Sequence, residues 1–212
     1  MDEHDSKKLF SKYGIRITKE FVAKDKQEAA SYAGKIGFPV VMKVLSSDIV
    51  HKTEAGGVIL NIHNSDDVLK AYDLIMKNVG KSNPHADIKG VVVEEQVKGH
   101  ELIVGAKKDP QFGPVLMVGL GGIFVEVMKD VSFRVVPITE KDADEMLREL
   151  KSFPVLEGVR GKSKANLKML KSALLGVSKL LEDNLQIEEL DINPLVVDDK
   201  HAVAADARII VS

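Results

Sequence analysis

The end of the chain alternates polar and apolar residues in two segments, 188–195 and 204–209. Alternation with a period of two is typical of β-strands, whose successive side chains point to opposite faces. Residues 198–201, between the segments, have the sequence Asp-Asp-Lys-His, which favours a turn. The pattern therefore predicts a β-hairpin with one apolar face and one polar face.

On the polar face, this hairpin places Asn193 opposite Asp206 and Asp191 opposite Arg208, with Cβ atoms roughly 4.5–5.5 Å apart. Asp and Asn oxygens suit a hard cation, and Mg²⁺ usually takes few protein ligands beside substrate phosphates. A guanidinium such as that of Arg208 suits a phosphate oxygen. These residue types favour the floor of a magnesium–nucleotide site, and the alternative is the solvated face of an ordinary antiparallel hairpin.

A lysine stands inside the dense apolar segment 39–45, which predicts a buried strand. Burying an ammonium group costs several kcal/mol unless an anion meets it. Lys43 is therefore a candidate for holding a phosphate. The alternative is an edge-strand lysine that leans to solvent.

A polar loop, residues 46–57, follows this strand and ends in a glycine pair. It contains His51, and histidine can act as a nucleophile or a proton carrier near neutral pH. The alternative for His51 is a solvated loop side chain. Gly56 and Gly57 indicate either a phosphate-binding turn or only a bend in the chain.

In segment 90–97 an apolar run is followed by the adjacent carboxylates Glu94 and Glu95, which indicates a strand that leaves the core at a hinge-like edge. Glu101 lies in the next predicted strand, residues 100–105. It is either a hydrogen-bond acceptor for a sugar hydroxyl or a solvent-facing strand residue.

Length and composition exclude several classes of protein. The chain has 212 residues, of which 44% are apolar and 29% charged, as is typical of a soluble globular protein. A net charge of −2 gives no electrostatic basis for nucleic-acid binding, and the absence of cysteine excludes disulfides and thiolate chemistry. No apolar run approaches the roughly 18 residues of a membrane helix. The N-terminus is acidic and lacks an apolar signal region, so we expect a cytoplasmic protein.

Helices and strands alternate irregularly along the chain, with several antiparallel returns, which favours an α+β fold over a regular doubly wound sheet. The patterns also predict strands at residues 15–22 and 124–128. We expect a first lobe, residues 1–97, that includes an N-terminal helix, and a second lobe, residues 98–212, that carries the hairpin. The two lobes are expected to hold a nucleotide between them.

Several of these segments together resemble a known fold family. The segments similar to the ATP-grasp fold are Pro39–Lys43, Glu94–Val97, Glu101 and Asp191–Leu195 with Asp206. Longer motifs resemble, more closely, the β subunits of archaeal ADP-forming acetate–CoA ligases. These motifs are Val50–Val58, Asp109–Pro114, Gly119–Glu126, Lys129–Arg134 and Glu189–Pro194. The resemblance covers nearly the whole chain.

The resemblance implies an enzyme subunit that works only with a partner. The family converts acyl-CoA, ADP and phosphate into a carboxylic acid, CoA and ATP, reversibly. The acyl-CoA chemistry is implied to occur on a separate CoA-binding α subunit, in which a histidine becomes phosphorylated, within an expected α2β2 assembly. The phosphoryl group then passes to the nucleotide that the β subunit holds.

By position, the resemblance also implies roles for individual residues. The residues implied to bind the nucleotide are Lys43 and Arg208 at the phosphates, Glu94, Glu95 and Val97 at the adenine edge, and Glu101 at the ribose. Asn193 and Asp206 are implied to hold Mg²⁺. His51 matches a histidine proposed to accept phosphate transiently, and Asp191 an acid that steadies the incoming phosphohistidine.

Two other functions remain open for a chain with this fold. The first is a stand-alone ATP-grasp carboxylate ligase, which needs an acceptor pocket of its own and gives no reason for the His51 loop. The second is a non-enzymatic subunit that senses nucleotides and regulates another protein. For that function a change of His51 would have no effect, whereas in the transfer enzyme it would prevent phosphoryl transfer.

Overall fold

The structure, a computed structural model, describes residues 1–49, 51–158 and 163–212. Val50, the first residue of one of the family-like motifs, therefore lies outside the described residues. This part of the chain divides into a larger unit, residues 1, 3–17 and 97–212, and a smaller unit, residue 2 and residues 18–96.

The first helix belongs to the larger unit, in contrast to the predicted division into residues 1–97 and 98–212. Phe10 and Ile15 are fully or almost fully buried, and both belong to the apolar core of the larger unit. The sequence could not assign this helix because its apolar stripe does not indicate which sheet it covers.

The elements between residues 18 and 96 belong to the smaller unit, whereas the two that precede them belong to the larger unit. In chain order the elements up to residue 96 are α1 (Glu3–Lys12), β1 (Arg16–Ile17), β2 (Glu20–Ala23), α2 (Lys26–Ile36), β3 (Val40–Leu45), β4 (Val58–Ile62), α3 (Ser65–Ser82) and β5 (Gly90–Glu95), of which α1 and β1 belong to the larger unit. The remaining elements are β6 (His100–Asp109), β7 (Gly113–Leu120), α4 (Ile123–Glu126), β8 (Val131–Val135), α5 (Glu140–Glu149), α6 (Phe153–Leu156), α7 (Leu167–Asp183), β9 (Ile187–Val197), β10 (Ala202–Ala204) and β11 (Ala207–Val211).

The smaller unit is a sheet with the strand order β2-β5-β3-β4, and helices α2 and α3 share its core. Asp25 caps α2 by accepting hydrogen bonds from the N–H groups of Gln27 and Glu28, as is usual for an aspartate at this position. Strand β3 lies inside the sheet, between β5 and β4. The alternative of an edge-strand lysine for Lys43 is therefore wrong.

The larger unit is built on a sheet with the strand order β1-β10-β9-β6-β7-β8, in which β11 also pairs with β9. Its apolar core includes one face of α7, on which Leu170, Leu174, Val177 and Leu181 are all buried. In the described part of the chain no helix has both the length and the apolar character needed to cross a membrane.

Two of the predicted strands are wrong. The predicted strand at residues 15–22 is divided, because Arg16 and Ile17 pair with β10 while residues 20–23 pair with β5 in the other sheet. The predicted strand at residues 124–128 is instead occupied largely by the short helix α4. A short apolar run fits a buried strand and a buried helical turn equally well, so the pattern could not separate them.

Strand β8 is tied to helix α5 by Arg134, a residue of one of the family-like motifs. Its guanidinium donates to both carboxylate oxygens of Glu149, at 2.5 and 3.0 Å, and Ser132 donates to the same carboxylate at 2.6 Å. Hydrogen bonds from Arg134 and then from Ser132 lower the pKa of Glu149 from 4.5 to about 2.

This lowered pKa predicts a specific acid sensitivity. The folded protein binds the proton at Glu149 less readily than the unfolded chain does, so Glu149 stabilises the fold above pH 4.5 and loses that effect as the pH falls toward 2. We expect Glu149→Gln to lower the unfolding temperature at pH 6, and the difference from the wild type to disappear between pH 4.5 and 2. Thermal unfolding across this range tests it, with the exposed Glu157→Gln as control. A difference that persists at pH 2 would contradict it.

Candidate functional site

The closing hairpin has the predicted register. Ala207 lies opposite Ile192 and Arg208 opposite Asp191, and residues 198–201 form the connection between β9 and β10. The carboxylate of Asp198 accepts hydrogen bonds from the backbone N–H groups of Lys200 and His201, which closes the turn. The apolar face is buried, and Asp191 and Arg208 lie together on the other face.

Asn193 and Asp206 are also neighbours, as predicted. The N–H of Asn193 donates to the carbonyl oxygen of Asp206 at 3.3 Å. The Asp206 carboxylate accepts a hydrogen bond from the N–H of Ala207 at 2.7 Å, which fixes its orientation. The amide of Asn193 on β9 and the carboxylate of Asp206, in the bend between β10 and β11, provide the oxygen donors that a hard cation prefers, so these residues fit a Mg²⁺ site.

A β-bulge in β9 accompanies this arrangement. On the facing strand β6, Leu102 pairs with Leu195 and Val104 with Ile192, so the single residue between them on β6 faces Asn193 and Pro194 on β9. A bulge of this kind inserts an extra residue and redirects the neighbouring side chains. Here it lets Asn193 be exposed while Ile192 and Leu195 both remain buried.

Strand pairing extends the polar face across the sheet of the larger unit. Residues that lie directly opposite each other in antiparallel strands point to the same face. From β8 to β11, the residues paired in this way are Phe133, Met117, Gly105, Asp191 and Arg208, which we call the cross-strand row. All of them line a cavity of about 700 Å³ on this face.

The two carboxylates that β9 presents to this cavity differ electrostatically. Burial raises the pKa of Asp191, and the nearby Asp206 carboxylate raises it further, against the effect of Arg208. A hydrogen bond from Lys107, with Nζ 2.9 Å from Oε1, lowers the pKa of Glu189. The pKa values of these two carboxyl groups are therefore shifted in opposite directions, that of Asp191 upward and that of Glu189 downward.

Lys43 in the smaller unit is buried and paired. Its Nζ lies 2.6 Å from Oε1 of Glu94, and the two side chains are 9% and 2% exposed. Thr18 donates to the other carboxylate oxygen of Glu94 at 2.9 Å. The predicted need for an anion beside this lysine is thus met in part by the protein itself, and the ammonium is held in a fixed position.

Strand β5 continues into the predicted hinge. Glu94 lies within β5, which is paired with β2 on one side and β3 on the other, and Glu95 accepts a hydrogen bond from the N–H of Lys19 through its side chain. Gln96 exchanges hydrogen bonds with Asn61. Val97 follows in the larger unit, after the end of the strand.

Glu101, the predicted ribose contact, has an exposed side chain on β6 of the larger unit. Its carbonyl oxygen accepts a hydrogen bond from the N–H of Gly121 at 2.7 Å. This bond holds the glycine-rich segment after β7 close to β6, and a Cβ on Gly121 would lie 3.0 Å from the same oxygen. The glycine here serves a close approach between two backbones.

His51 is exposed in a loop whose C-terminal end, at Gly57, is hydrogen-bonded to strand β3 of the smaller unit. The N–H of Gly57 donates to the carbonyl of Lys52, and the N–H of Val44 donates to the carbonyl of Gly57, both at 2.8 Å. A Cβ on Gly57 would lie 2.6 Å from Val44 Cγ1, and Gly56 has a φ of 65°. These constraints favour a bend that packs against β3, which was one of the two interpretations of the glycine pair.

The structure thus brings Asp191, Asn193, Asp206 and Arg208 together in the larger unit, and Lys43 and Glu94 in the smaller unit. The sequence did not indicate Thr18, Met117, Phe133 or Gly105 as parts of these sites. A signal existed for Gly105, since a glycine inside a predicted strand often marks a close approach by a ligand or another backbone.

Comparisons with known proteins agree with the resemblance. A family model described as ATP-grasp domain matches residues 1–211. Subunit beta of acetate–CoA ligase (ADP-forming) I from Pyrococcus furiosus is 46% identical over 209 residues, which are 98% of this chain and 90% of that protein.

Solved structures with the same fold include dinucleotide forming acetyl-coenzyme A synthetase 1 of Ca. Korarchaeum cryptofilum in complex with coenzyme A, Ca-AMPCP and HgCl+. It has a TM-score of 0.98 and 43% identity, and the match covers 100% of this chain and 93% of that chain. A second structure of that protein contains coenzyme A and Mg-AMPPCP, with its phosphohistidine segment pointing towards the nucleotide binding site. It has a TM-score of 0.86 and 40% identity, covering 99% of this chain and 92% of that chain.

Proposed function

Because the chain belongs to the ATP-grasp domain family and, within it, to the β subunits of ADP-forming acetate–CoA ligases, we propose that it is the nucleotide-binding subunit of an acyl-CoA ligase. It transfers a phosphoryl group from a phosphohistidine of an α subunit to ADP, and the reaction runs in both directions. Overall, acyl-CoA, ADP and phosphate give a carboxylic acid, CoA and ATP.

The observation that carries this proposal is the polar face of the closing hairpin. Asn193 and Asp206 offer adjacent oxygen donors, and Asp191 lies opposite Arg208 one pair further along. We assign the metal to Asn193 and Asp206, which suit Mg²⁺ in donor type. When bound, Mg²⁺ supplies positive charge that neutralises nucleotide phosphate oxygens.

The transfer step needs little covalent chemistry from the protein. The N–P bond of the phosphohistidine breaks and leaves its electron pair on the imidazole, while a new bond to phosphorus forms, either at a terminal oxygen of ADP or first at a ring nitrogen of His51. A carboxylate that accepts the N–H of the other ring nitrogen keeps that nitrogen protonated, so that a neutral imidazole departs. We assign this role to Asp191, and the neutralisation of phosphoryl oxygens to Arg208.

His51 is proposed to act as a relay. In that route the phosphoryl group passes first to a ring nitrogen of His51 and then to ADP, so that each step exchanges one bond to phosphorus for another. The His51 side chain is exposed, and hydrogen bonds at Gly57 hold the end of its loop in place. Both features are consistent with a side chain that must contact the phosphohistidine of a partner protein.

The remaining assignments concern the nucleotide. Lys43, held by Glu94, contributes positive charge to the phosphates. The hinge backbone at Glu95 and Val97, with the strand residue Glu94 before it, is assigned to the adenine edge. Glu101, which is exposed on β6, is assigned to the ribose hydroxyls.

The acyl-CoA half of the reaction is assigned to the α partner. It binds CoA and the acyl group and carries the histidine that becomes phosphorylated. The proposal includes an α2β2 assembly and a location in the cytoplasm.

Reconstitution tests the proposed function. We expect the purified chain to bind Mg–ADP in calorimetry but to form no ATP from acetyl-CoA, phosphate and ADP. Addition of its cognate α subunit should start ATP formation. Full activity of the chain alone would identify a stand-alone ligase. Nucleotide binding without ATP formation, in the presence of an α subunit that is competent for its own phosphorylation, would identify a regulatory subunit.

The assignment of the metal predicts the behaviour of Asp206→Asn. This change removes the carboxylate charge and retains the shape of the side chain. Substitution of a residue that only orients a metal ligand typically lowers metal affinity by about 10- to 100-fold. We therefore expect the Mg²⁺-dependent affinity for ADP to fall by at least about 10-fold. The measurement is ADP affinity at a series of Mg²⁺ concentrations. Asp199→Asn, at an exposed position in the hairpin turn, is the matched control. An unchanged Mg²⁺ dependence would remove Asp206 from the metal site.

A further inference from the structure

Thr18 provides a buried hydroxyl at the ion pair between Lys43 and Glu94. The residue is 2% exposed, and its Oγ1 donates to Oε2 of Glu94 at 2.9 Å. The other carboxylate oxygen, Oε1, lies 2.6 Å from Nζ of Lys43. The carboxylate is thus held at both of its oxygens, at one by a hydroxyl and at the other by an ammonium.

Strand pairing explains why this carboxylate needs a contact besides the lysine. Glu20 on β2 lies directly opposite Glu94 on β5. Carboxylates in such a pair repel each other when both are ionised. The Thr18 hydroxyl lies near both, at 2.9 Å from Glu94 and 3.5 Å from Oε2 of Glu20. A hydroxyl has one proton to donate, and the shorter distance directs it to Glu94.

The position of the Lys43 ammonium depends on where Glu94 is held. On β3, Val41 lies opposite Glu94, and Lys43 follows two residues later on the same face of the sheet. Lys43 therefore reaches the carboxylate as a diagonal neighbour, through a long side chain with several rotatable bonds. Because that side chain is flexible, a shift of the carboxylate would move the ammonium with it.

We propose that Thr18 is a positioning residue for phosphoryl transfer, and that its hydroxyl, acting through Glu94, places the Lys43 ammonium at the nucleotide phosphates. This inference rests on the proposed function, in which Lys43 contributes positive charge to the phosphates. Phosphoryl transfer depends mostly on the positions of such charges. The hydroxyl also shares the negative charge of Glu94 through its hydrogen bond, which weakens the competition of this carboxylate with a phosphate oxygen for the ammonium.

Two substitutions of Thr18 test the inference. Thr18→Val removes the hydroxyl and nearly retains the shape, whereas Thr18→Ser retains the hydroxyl. Members of one hydrogen-bond network are typically coupled by about 2- to 150-fold. We expect Thr18→Val to lower the affinity for Mg–ADP, measured by calorimetry, by at least about threefold, and Thr18→Ser to keep it within about threefold of the wild type.

The ion pair itself supplies a second test. In the double variant Lys43→Met/Glu94→Gln, the Thr18 hydroxyl has neither the carboxylate to hold nor the ammonium to position. Addition of Thr18→Val to this variant should therefore change the affinity for Mg–ADP by less than about threefold. A larger loss in the triple variant would show that Thr18 affects the nucleotide by another route, and would overturn the inference.

Thr139→Val is the matched control for a loss of stability alone. The Thr139 hydroxyl caps helix α5 in the larger unit, so its removal should lower the unfolding temperature and leave the affinity for Mg–ADP unchanged. Thermal unfolding establishes that each variant is folded. If Thr18→Val does not fold, Thr18→Ala, which also lacks the hydroxyl, decides the question.

Two further outcomes would overturn the inference and leave the proposed function intact. The first is a change of less than about threefold in the affinity of folded Thr18→Val for Mg–ADP. The second is an equal loss in Thr18→Ser and Thr18→Val, because the hydroxyl would then not be the cause. Failure of the proposed function is distinguishable, because the wild-type chain would then bind no Mg–ADP or form no ATP with α, and the inference would fail with it.

Discussion

Substitution of His51 by asparagine should abolish phosphoryl transfer through this chain and leave Mg–ADP binding unchanged. Asparagine retains polarity and approximate size but has no nitrogen that can accept and release a phosphoryl group. A positioned histidine that handles a proton contributes about 10²–10⁴-fold to a rate. Without the nitrogen that accepts the phosphoryl group, the rate of transfer should fall by at least about 10⁴-fold. Acid-labile phosphate should no longer appear on the chain.

The assay is a single turnover from phosphorylated α to ADP, with the phosphate on each chain measured after rapid quenching. His63→Asn is the matched control, because His63 is also exposed and belongs to the smaller unit. Retention of the wild-type rate in His51→Asn would exclude the relay and favour direct transfer from the partner to ADP. Loss of Mg–ADP affinity would instead place His51 among the nucleotide contacts.

Substitution of Lys43 by methionine should have the largest effect on stability. It leaves the buried carboxylate of Glu94, which is 2% exposed, without its ammonium partner at 2.6 Å. Removal of one member of a buried ion pair costs about 3–5 kcal/mol, because the other charge remains away from water. The free energy of unfolding, measured by urea denaturation, should fall by about that amount.

The double variant Lys43→Met/Glu94→Gln separates the structural role of Lys43 from its proposed role at the phosphates. Replacing the carboxylate by an amide removes the buried negative charge that Lys43 neutralises, so much of the lost stability should return. Affinity for Mg–ADP should stay low, by about 10- to 150-fold, since a hydrogen bond to a charged group contributes about 1.5–3 kcal/mol. Recovery of both stability and affinity would show that Lys43 acts only within the fold.

Lys26→Met is a control for the loss of an ion pair as such. Lys26 is paired with Asp73 at 2.9 Å, but both side chains are well exposed. Exposed pairs typically contribute only about 0.2–1 kcal/mol. A loss in Lys26→Met as large as that in Lys43→Met would indicate that burial is not the cause.

The hairpin could be predicted from the sequence because its information is local. The alternation of Leu190 to Asn193, the turn residues and the return at Ala207 and Arg208 fix which side chains are opposed. Its neighbour β6 is about 85 residues away in the chain, and the pattern did not indicate that Gly105 pairs with Asp191. The cross-strand row depends on that pairing, and so could not be predicted.

The smaller unit shows a similar limit. The buried environment of Lys43 could be predicted from the apolar residues around it, and with it the need for an anion. The partner, Glu94, was assigned instead to the hinge, because a carboxylate after an apolar run indicates a strand that is leaving the core. Position 94 lies opposite Val41, two residues from Lys43, and only the strand pairing reveals this.

The bulge at Asn193 and Pro194 has a consequence for how this strand can vary between related proteins. It shifts the alternation by one residue, so that even-numbered residues (Leu190, Ile192) are buried before the bulge and odd-numbered residues (Leu195, Val197) are buried after it. Deletion of one residue there would turn either the acidic half of β9 or its apolar half to the wrong side. Changes in length are therefore expected at the 198–201 connection, where an extra residue alters no side chain's orientation, rather than within the strand itself.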